Sequence, residues 1–584
     1  MRRCGGVRPR HGGFGHHAPG GGPARRHGPP VCRCGGGRPC AGERHSHRER
    51  RPGHRRPARH PAAIGARHRD RAGGVVDLDQ SKATLAQLRR RLEIFSLRWQ
   101  ARLDTRRVDQ AVPWIVALLF GGLLSGLSLA RARSLEAGAD LSSHLQGLWL
   151  IGEGYEPLSS VAGHNLLWEQ AAFILYPVAG LTALFPDQPT LLCLQASALA
   201  LGVVPLWRIA RDVGGLKSGA AAAVVFAYCA YPAVHSINLS DFHPEALAVP
   251  ALFAAVLTAL EGRWNWFGVF ALVVVTCRSD LAFAFAGLGL LVLLEGRRRP
   301  GAYISLGGLA YGLVAMTAIQ PRFNGGRFPH IEAFSDFGSG HAGSVLWGFI
   351  SAPHQVVADA VSQANFQMIV FLLAPVMLLP LVAPRYVLPV LPLFAVYLVA
   401  DVPSGQLAEA SQTVPMIPFV FAATVFALAR SGRVLVERVN VDRRLLTALV
   451  LTASLFFLRD APSSLYERPW DWGRRETIDI ARQEAVDLIP ADASVRASEQ
   501  VLPLLSDRTR LYQLHTGDDP DSAAVAATPK VEWIVFDAAS APDWSPLDIE
   551  SFDLDVRRTG FERLELDEGG MSLRVYRLRN VIQS

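Results

Sequence analysis

Ionisable side chains beside long apolar runs are costly to place, and they mark either a working site or an anchor at a membrane surface. This sequence gathers them in a few short segments. The first is Gly138-Ala139-Asp140-Leu141, where Asp140 reads structurally as a solvated loop acid or as the cap of the helix that follows. The second is Asn238-Leu239-Ser240-Asp241-Phe242-His243-Pro244-Glu245. Pro244 and Glu245 suit a helix start, so Glu245 has a structural reading beside a binding one. Asp241 and His243 go beyond what a turn needs. A histidine between two carboxylates has its charged form favoured and suits proton transfer or hydrogen bonding to a substrate. The third segment is Cys277-Arg278-Ser279-Asp280, either a salt-bridged hairpin tip or an arginine at headgroup depth that holds a lipid phosphate. Arg322 and Arg327, in the Gly-rich stretch downstream, extend such a phosphate site.

The elements that must position these residues are apolar runs of membrane-crossing character, for which about 20 residues are needed. Eleven are legible: 112–130, 190–210, 219–234, 246–260, 267–276, 281–294, 304–319, 368–382, 386–400, 414–428 and 445–458. Short cytoplasmic loops collect Lys and Arg. With the amino end inside, every cytoplasmic segment contains Arg, from Arg89-Arg90-Arg91 through 208–217, 261–263, 295–299 and Arg385 to 430–444. The opposite loops carry Asp140, His164, Glu169, Asp241, His243, Glu245 and Asp280, with Arg131, Arg133, Arg278, Arg322 and Arg327 among them. The apolar stretch 171–185 would spoil this alternation if it crossed, so 141–185 is expected to be an outer loop with helices lying along the surface.

Half of the 584 residues are apolar and only 19% are charged, which excludes a disordered chain and an ordinary single soluble domain. The net charge of +8 would suggest nucleic acid, but residues 1–74 hold 18 Arg, no Lys and three acids, a formal +15 against −7 for the remainder. That leader has no hydrophobic periodicity and is expected to be disordered, an upstream extension preceding a start near Val75 or Val76. Its Cys4, Cys32, Cys34 and Cys40 lack the paired spacing of a structural zinc site. Residues 75–111 are expected to form a cytoplasmic basic helix, 112–459 a transmembrane domain with an outer loop over 131–189, and 460–584 an extracytoplasmic α/β domain. The last of these is acidic, with 22 acids against 13 basic residues from Asp471 onward. Its short β-type runs, 494–497, 510–514, 531–536 and a closing hairpin over 562–578, alternate with helical stretches such as 476–488. Cys193, Cys229 and Cys277 lie in or beside apolar runs and are expected to be buried small side chains.

Four pieces together resemble a bacterial family of predicted polytopic membrane proteins similar in layout to C-type (GT-C) glycosyltransferases such as the protein mannosyltransferases. They are residues 140–149, Pro205-Leu206-Trp207-Arg208, Asp241-Phe242-His243-Pro244-Glu245-Ala246-Leu247 and Arg278-Ser279-Asp280-Leu281. The resemblance implies a GT-C-like α-helical polytopic fold, here of about eleven spans with the small outer α/β domain. It further implies transfer of a sugar from a polyprenyl-phosphate donor at the outer face of the bacterial plasma membrane. In that group an acid in the first outer loop, matched by Asp140, acts as base on the acceptor hydroxyl or helps bind a divalent metal. The loop histidine of the group is matched by His164, with Glu169 its polar neighbour. Ala139 stands where the group usually has Tyr, and Arg278-Ser279-Asp280 where it has Lys/Arg-Glu-Asp.

The expected partners are therefore a polyprenyl-phosphate-sugar lipid, an envelope glycan, lipid or protein acceptor, and membrane lipids, with no nucleic acid. In this reading Asp140 is catalytic. His164, Glu169, Asp241, His243, Glu245, Arg278, Asp280 and Arg322 bind donor or acceptor. The competing readings are a transporter or flippase, which would place its site near the midplane, and a non-catalytic envelope scaffold.

Overall fold

The computed structural model describes residues 87, 90–91, 104–135, 138–326, 334–338, 342–399, 413–435, 438–514, 530–538, 541–542, 544–566 and 572–579, all within one compact unit, Asp79–Ser584. The expectations for 1–74, for most of 75–111, for Arg327 and for the turn of the closing hairpin, 567–571, lie outside these residues.

Among the described residues six helices are long and apolar enough to cross a membrane: Arg106–Arg133, Asp187–Val213, Ser218–Leu239, Pro244–Glu261, Arg298–Arg322 and Arg443–Glu467. Three further apolar helices, Trp264–Cys277, Ser279–Leu294 and Met416–Ser431, are shorter. At about 1.5 Å per residue the 14 residues of Trp264–Cys277 reach roughly 21 Å, short of a hydrocarbon core of about 30 Å. Pro353–Ala360 and Asn365–Val376 make a pair bent by 48°. The run expected over 386–400 contributes a helix of only nine residues, Leu391–Val399. Proline explains the interruption: Pro375, Pro380, Pro384 and Pro389 remove backbone donors, and the chain there makes one-turn 3-10 segments at Ala374–Val376, Leu379–Val382 and Pro384–Tyr386.

Pro244–Glu261 is the central helix, with Leu252, Phe253, Ala255 and Ala259 wholly buried. The outer helices instead expose large apolar side chains, among them Leu118 and Leu119 on Arg106–Arg133 and Leu306 on Arg298–Arg322. Such faces belong against lipid. Ser279–Leu294 and Arg298–Arg322 pack backbone to backbone because glycine allows it: a Cβ on Gly289 would meet the Ser305 nitrogen at 2.3 Å, and one on Gly308 the Ala282 carbonyl at 2.6 Å.

The helix ends fall into two polar layers. In one, Arg211 is almost wholly buried and pairs with Asp109 at 2.6 Å and Asp104 at 2.7 Å, while donating to the Leu216 carbonyl. A buried guanidinium is tolerable only when paired in this way. In the same layer Arg297 donates to the Ala259 carbonyl and the Arg438 guanidinium to that of Arg211. The other layer holds the acidic segments.

On that acidic side the chain between the first two long helices forms Ala139–Gly152, a hairpin pairing Leu158–Ser159 with His164–Asn165, and the short helices Leu166–Gln170 and Leu175–Thr182. The apolar stretch 171–185 is broken at Ala171, whose φ is 50°, and its helix of eight residues is too short to cross.

The C-terminal residues build a mixed five-stranded sheet from β1 (Val495–Ala497), β2 (Leu511–Gln513), β3 (Trp533–Asp537), β4 (Phe561–Leu564) and β5 (Leu573–Leu578), in the order β2-β1-β3-β5-β4. β1 runs parallel to β2 and β3, with Val495 opposite Leu511 and Trp533, whereas β5 is antiparallel to β3 and β4. Alternation along β3 sends Trp533 and Val535 into a core with Ala481, Ala485 and Val501, and Ile534 and Phe536 into a second with Phe552, Val556 and Tyr576. The flanking helices Thr477–Asp487 and Pro546–Arg558 each open with a capping box, Glu476 with Asp479 and Ser545 with Asp548.

Candidate active site at the acidic end of the bundle

Ala139–Gly152, here the site helix, begins at Gly138, which has no side chain with which to cap. Three of the free amides around its first turn, those of Gly138, Ala139 and Leu141, are satisfied from elsewhere. Asp241 accepts from the Gly138 N–H at 2.9 Å and from the Leu141 N–H at 3.1 Å, and Glu499, first residue of the 3-10 segment Glu499–Leu505 that follows β1, accepts from the Ala139 N–H at 3.2 Å. A Cβ on Gly138 would lie 2.6 Å from Asp241 Oδ2 and 2.8 Å from Glu499 Oε1, so glycine is needed where the two carboxylates approach.

Asp140 sits in this first turn but caps nothing. It is exposed, and its carboxylate makes no hydrogen bond or ion pair among the described residues. Its carbonyl instead receives Ser143 Oγ and lies 2.8 Å from His144 Nδ1. The His144 ring stands edge-on to the buried Phe242, 5.5 Å between centroids.

The Asp241 turn is held rigid from below. Gln195, fully buried in Asp187–Val213, donates to the carbonyls of Ile237 (2.8 Å) and Asp241 (3.0 Å) and accepts the His243 N–H (2.8 Å). Asn238 and Ser128 exchange hydrogen bonds across to Arg106–Arg133, and the Arg131 guanidinium donates to the Leu239 carbonyl. The His243 ring is half-buried and has no partner among the described residues.

Arg278 and Glu245 belong to a closed cluster. Arg278 donates Nε and one NH2 hydrogen to Asp280 at 2.8 and 3.0 Å, another NH2 hydrogen to the Tyr397 hydroxyl at 2.8 Å, and NH1 to Glu245 at 3.3 Å. The Tyr397 hydroxyl also donates to Asp280. At least four of the five guanidinium hydrogens are thus committed inside the protein. Glu245 is wholly buried, and its Oε2 has no hydrogen-bond partner among the described residues.

His164 and Glu169 form a third group, 3.0 Å apart. Burial opposes the charged imidazolium, but the Glu169 carboxylate and the Ala162 backbone outweigh it and raise the His164 pKa above its ordinary value. Gln320 donates to the Glu169 carbonyl at 2.7 Å and brings the end of Arg298–Arg322 against Leu166–Gln170. Arg322 is exposed beside it and has no partner among the described residues.

Asp140, Asp241 and His243 are therefore brought together through backbone contacts, Glu245, Arg278 and Asp280 form a separate closed cluster, and His164, Glu169 and Arg322 share neighbouring elements. Gln195, Tyr397 and Glu499 were not legible as site residues. Only Gln195 offered a signal, an amide inside an apolar run. No group of three His, Cys, Asp or Glu side chains among the described residues is placed to hold a metal ion.

No curated protein matches this chain. Among solved structures it is similar to ArnT from Cupriavidus metallidurans bound to undecaprenyl phosphate, at 14% identity, covering 80% of this chain and 98% of that one with a TM-score of 0.46. Residues 131–560 match the family described as predicted membrane protein DUF2079. That span covers most of the sequence and all the acidic segments described above, so this membrane-integral chain belongs to the DUF2079 family.

Proposed function

We propose that this protein is an integral-membrane glycosyltransferase that moves a sugar from a polyprenyl-phosphate donor to a hydroxyl of a cell-envelope acceptor at the extracytoplasmic face of the plasma membrane. The observation that carries this reading is the Asp140 carboxylate, exposed and unengaged in the first turn of a helix whose Gly138, Ala139 and Leu141 amides are held by other acids. A base must be free to take a proton and yet fixed in place, and this arrangement supplies both conditions. The Arg-rich layer, on this reading, lies in the cytoplasm.

In the proposed reaction Asp140 takes the proton of the acceptor hydroxyl as its oxygen attacks the anomeric carbon. The bond from that carbon to the donor phosphate oxygen breaks, its electron pair leaves with the phosphate, and the anomeric centre inverts. Negative charge grows on the departing phosphate, where a cation contributes most. Arg322 is the cation best able to meet it, because Arg278 is held by Asp280, Glu245 and Tyr397. The open ring of His243 hydrogen-bonds sugar or acceptor, Asp241 positions the site helix, and His164 with Glu169 lines the approach to Arg322.

The test is a deletion strain. Mass analysis of its envelope glycolipids, glycans and glycoproteins should find one component lacking a sugar, restored when the full chain is expressed. An unchanged glycan profile would overturn the proposal.

A further inference from the structure

The sheet half of the molecule is fastened to the site helix at two separate places. Gln146, in the middle of that helix and wholly buried, donates to the Arg508 carbonyl at 2.9 Å and to Ser160 Oγ at 2.8 Å, and accepts from Ser159 Oγ at 2.8 Å and the Val161 N–H at 3.3 Å. Every hydrogen-bonding group of its amide is used. Ser160 in turn binds both backbone groups of Leu511, accepting its N–H at 2.9 Å and donating to its carbonyl at 2.7 Å, which pins the edge strand β2. The second fastening is Glu499 on the Ala139 N–H, one residue before Asp140.

Glu499 is exposed and packs into no core. It follows β1, central among the three parallel strands, and its carboxylate comes to the same point above Gly138 as that of Asp241 from the membrane half. An acid in the first turn of a helix ordinarily serves that helix's own free amides. Here three of those amides are already taken, one half of the molecule holding Gly138 and Leu141 and the other holding Ala139, and the Asp140 carboxylate is left unengaged.

We propose that Glu499 is a positioning residue for Asp140, so that the site is shared between the membrane half and the C-terminal sheet half. This rests on the glycosyltransferase reading for its consequence in transfer, but the contact itself is testable without it. The Gln146 clasp keeps the sheet half in reach, and Glu499 fixes the first turn.

The experiment compares the full chain with Glu499→Ala and Glu499→Gln by hydrogen exchange in detergent and by restoration of the missing envelope component. Glu499→Ala should speed exchange in peptides covering 138–145 by about fivefold, leave 531–537 and 247–261 unchanged, and lower the component by about fivefold at equal membrane level. Glu499→Gln, whose amide oxygen still accepts the Ala139 N–H, should keep both near wild type. Unchanged exchange over 138–145 in the alanine variant, or faster exchange with full restoration, overturns the proposal. Should the alanine chain not reach the membrane, Glu499→Asp, too short to reach Ala139, is read against the same two outcomes. Full restoration by Asp140→Asn would instead sink the enzyme reading and leave the exchange result standing.

Discussion

Arg278 and Asp140 lie in the same acidic layer, and both were expected to touch substrate, yet their surroundings are opposite. Arg278 is buried and ringed by Asp280, Glu245 and Tyr397, a cluster that closes on itself. Asp140 is exposed, and its neighbours Asp241 and Glu499 bind the backbone beside it rather than its carboxylate. The closed cluster can hold the start of Pro244–Glu261, the junction at Arg278 and the helix Leu391–Val399 together but has little left to offer a ligand, whereas the open one offers a free charge on a fixed frame. The difference teaches that an ionisable residue at a span end is judged by what its partners leave unoccupied, which sequence does not report.

The contrast breaks most sharply at Arg278. Arg278→Ala strands Glu245 and Asp280 without their counter-charge, and removal of one partner from a buried pair costs about 3–5 kcal/mol. The detergent-solubilised variant should lose most of its thermal transition and accumulate poorly in membranes. A wild-type melt would show that the cluster is not structural. Gly138→Ala comes next, since its Cβ would crowd both carboxylates and one must withdraw. A loss of about 1–3 kcal/mol is expected from overpacking, seen as faster exchange over 138–145, with Glu499→Ala partly relieving it in the double variant.

Arg322→Gln should sharpen the other side. It removes an exposed charge with no partner among the described residues, so melting should stay unchanged while product falls about tenfold, roughly 1.4 kcal/mol. A melt that drops with the product would move Arg322 into the structural class. The smallest effect concerns pH. The His164 pKa is raised in the folded chain, so its pairing with Glu169 stabilises fully below the ordinary value of about 6.5 and fades as pH rises through the folded value. The partly exposed Glu169 is screened by solvent, so below about 1 kcal/mol is at stake. Exchange over 158–170, corrected for intrinsic rate, should be less protected at pH 8 than at pH 6, and His164→Gln should erase that difference.

Much of the architecture was legible because apolar periodicity and turn chemistry act locally. The β-type runs at 494–497, 510–514 and 531–536 lie on β1, β2 and β3, and each long apolar run falls on a helix or, over 374–390, on proline-broken turns. Lengths were less legible, since Pro375 and Pro380 break a run whose hydropathy reads as continuous. Within the site, Asp140 and the Asp241-to-Glu245 segment announced themselves by charge beside apolar sequence. Glu499 did not, because it lies some 360 residues from Ala139 in the chain and matters only once the segment Glu499–Leu505 is packed on the site helix. The role of Arg278 was equally hidden: its ring of partners includes Tyr397, which looks in sequence like any aromatic in an apolar helix.

The measurement that tests the central claim most directly is complementation of the deletion strain by Asp140→Asn beside the wild-type chain, with envelope glycans analysed at matched membrane levels. Loss of a general base costs on the order of 100-fold or more, so the account predicts that the asparagine chain folds, melts as wild type and restores none of the missing sugar. Full restoration by Asp140→Asn would contradict it.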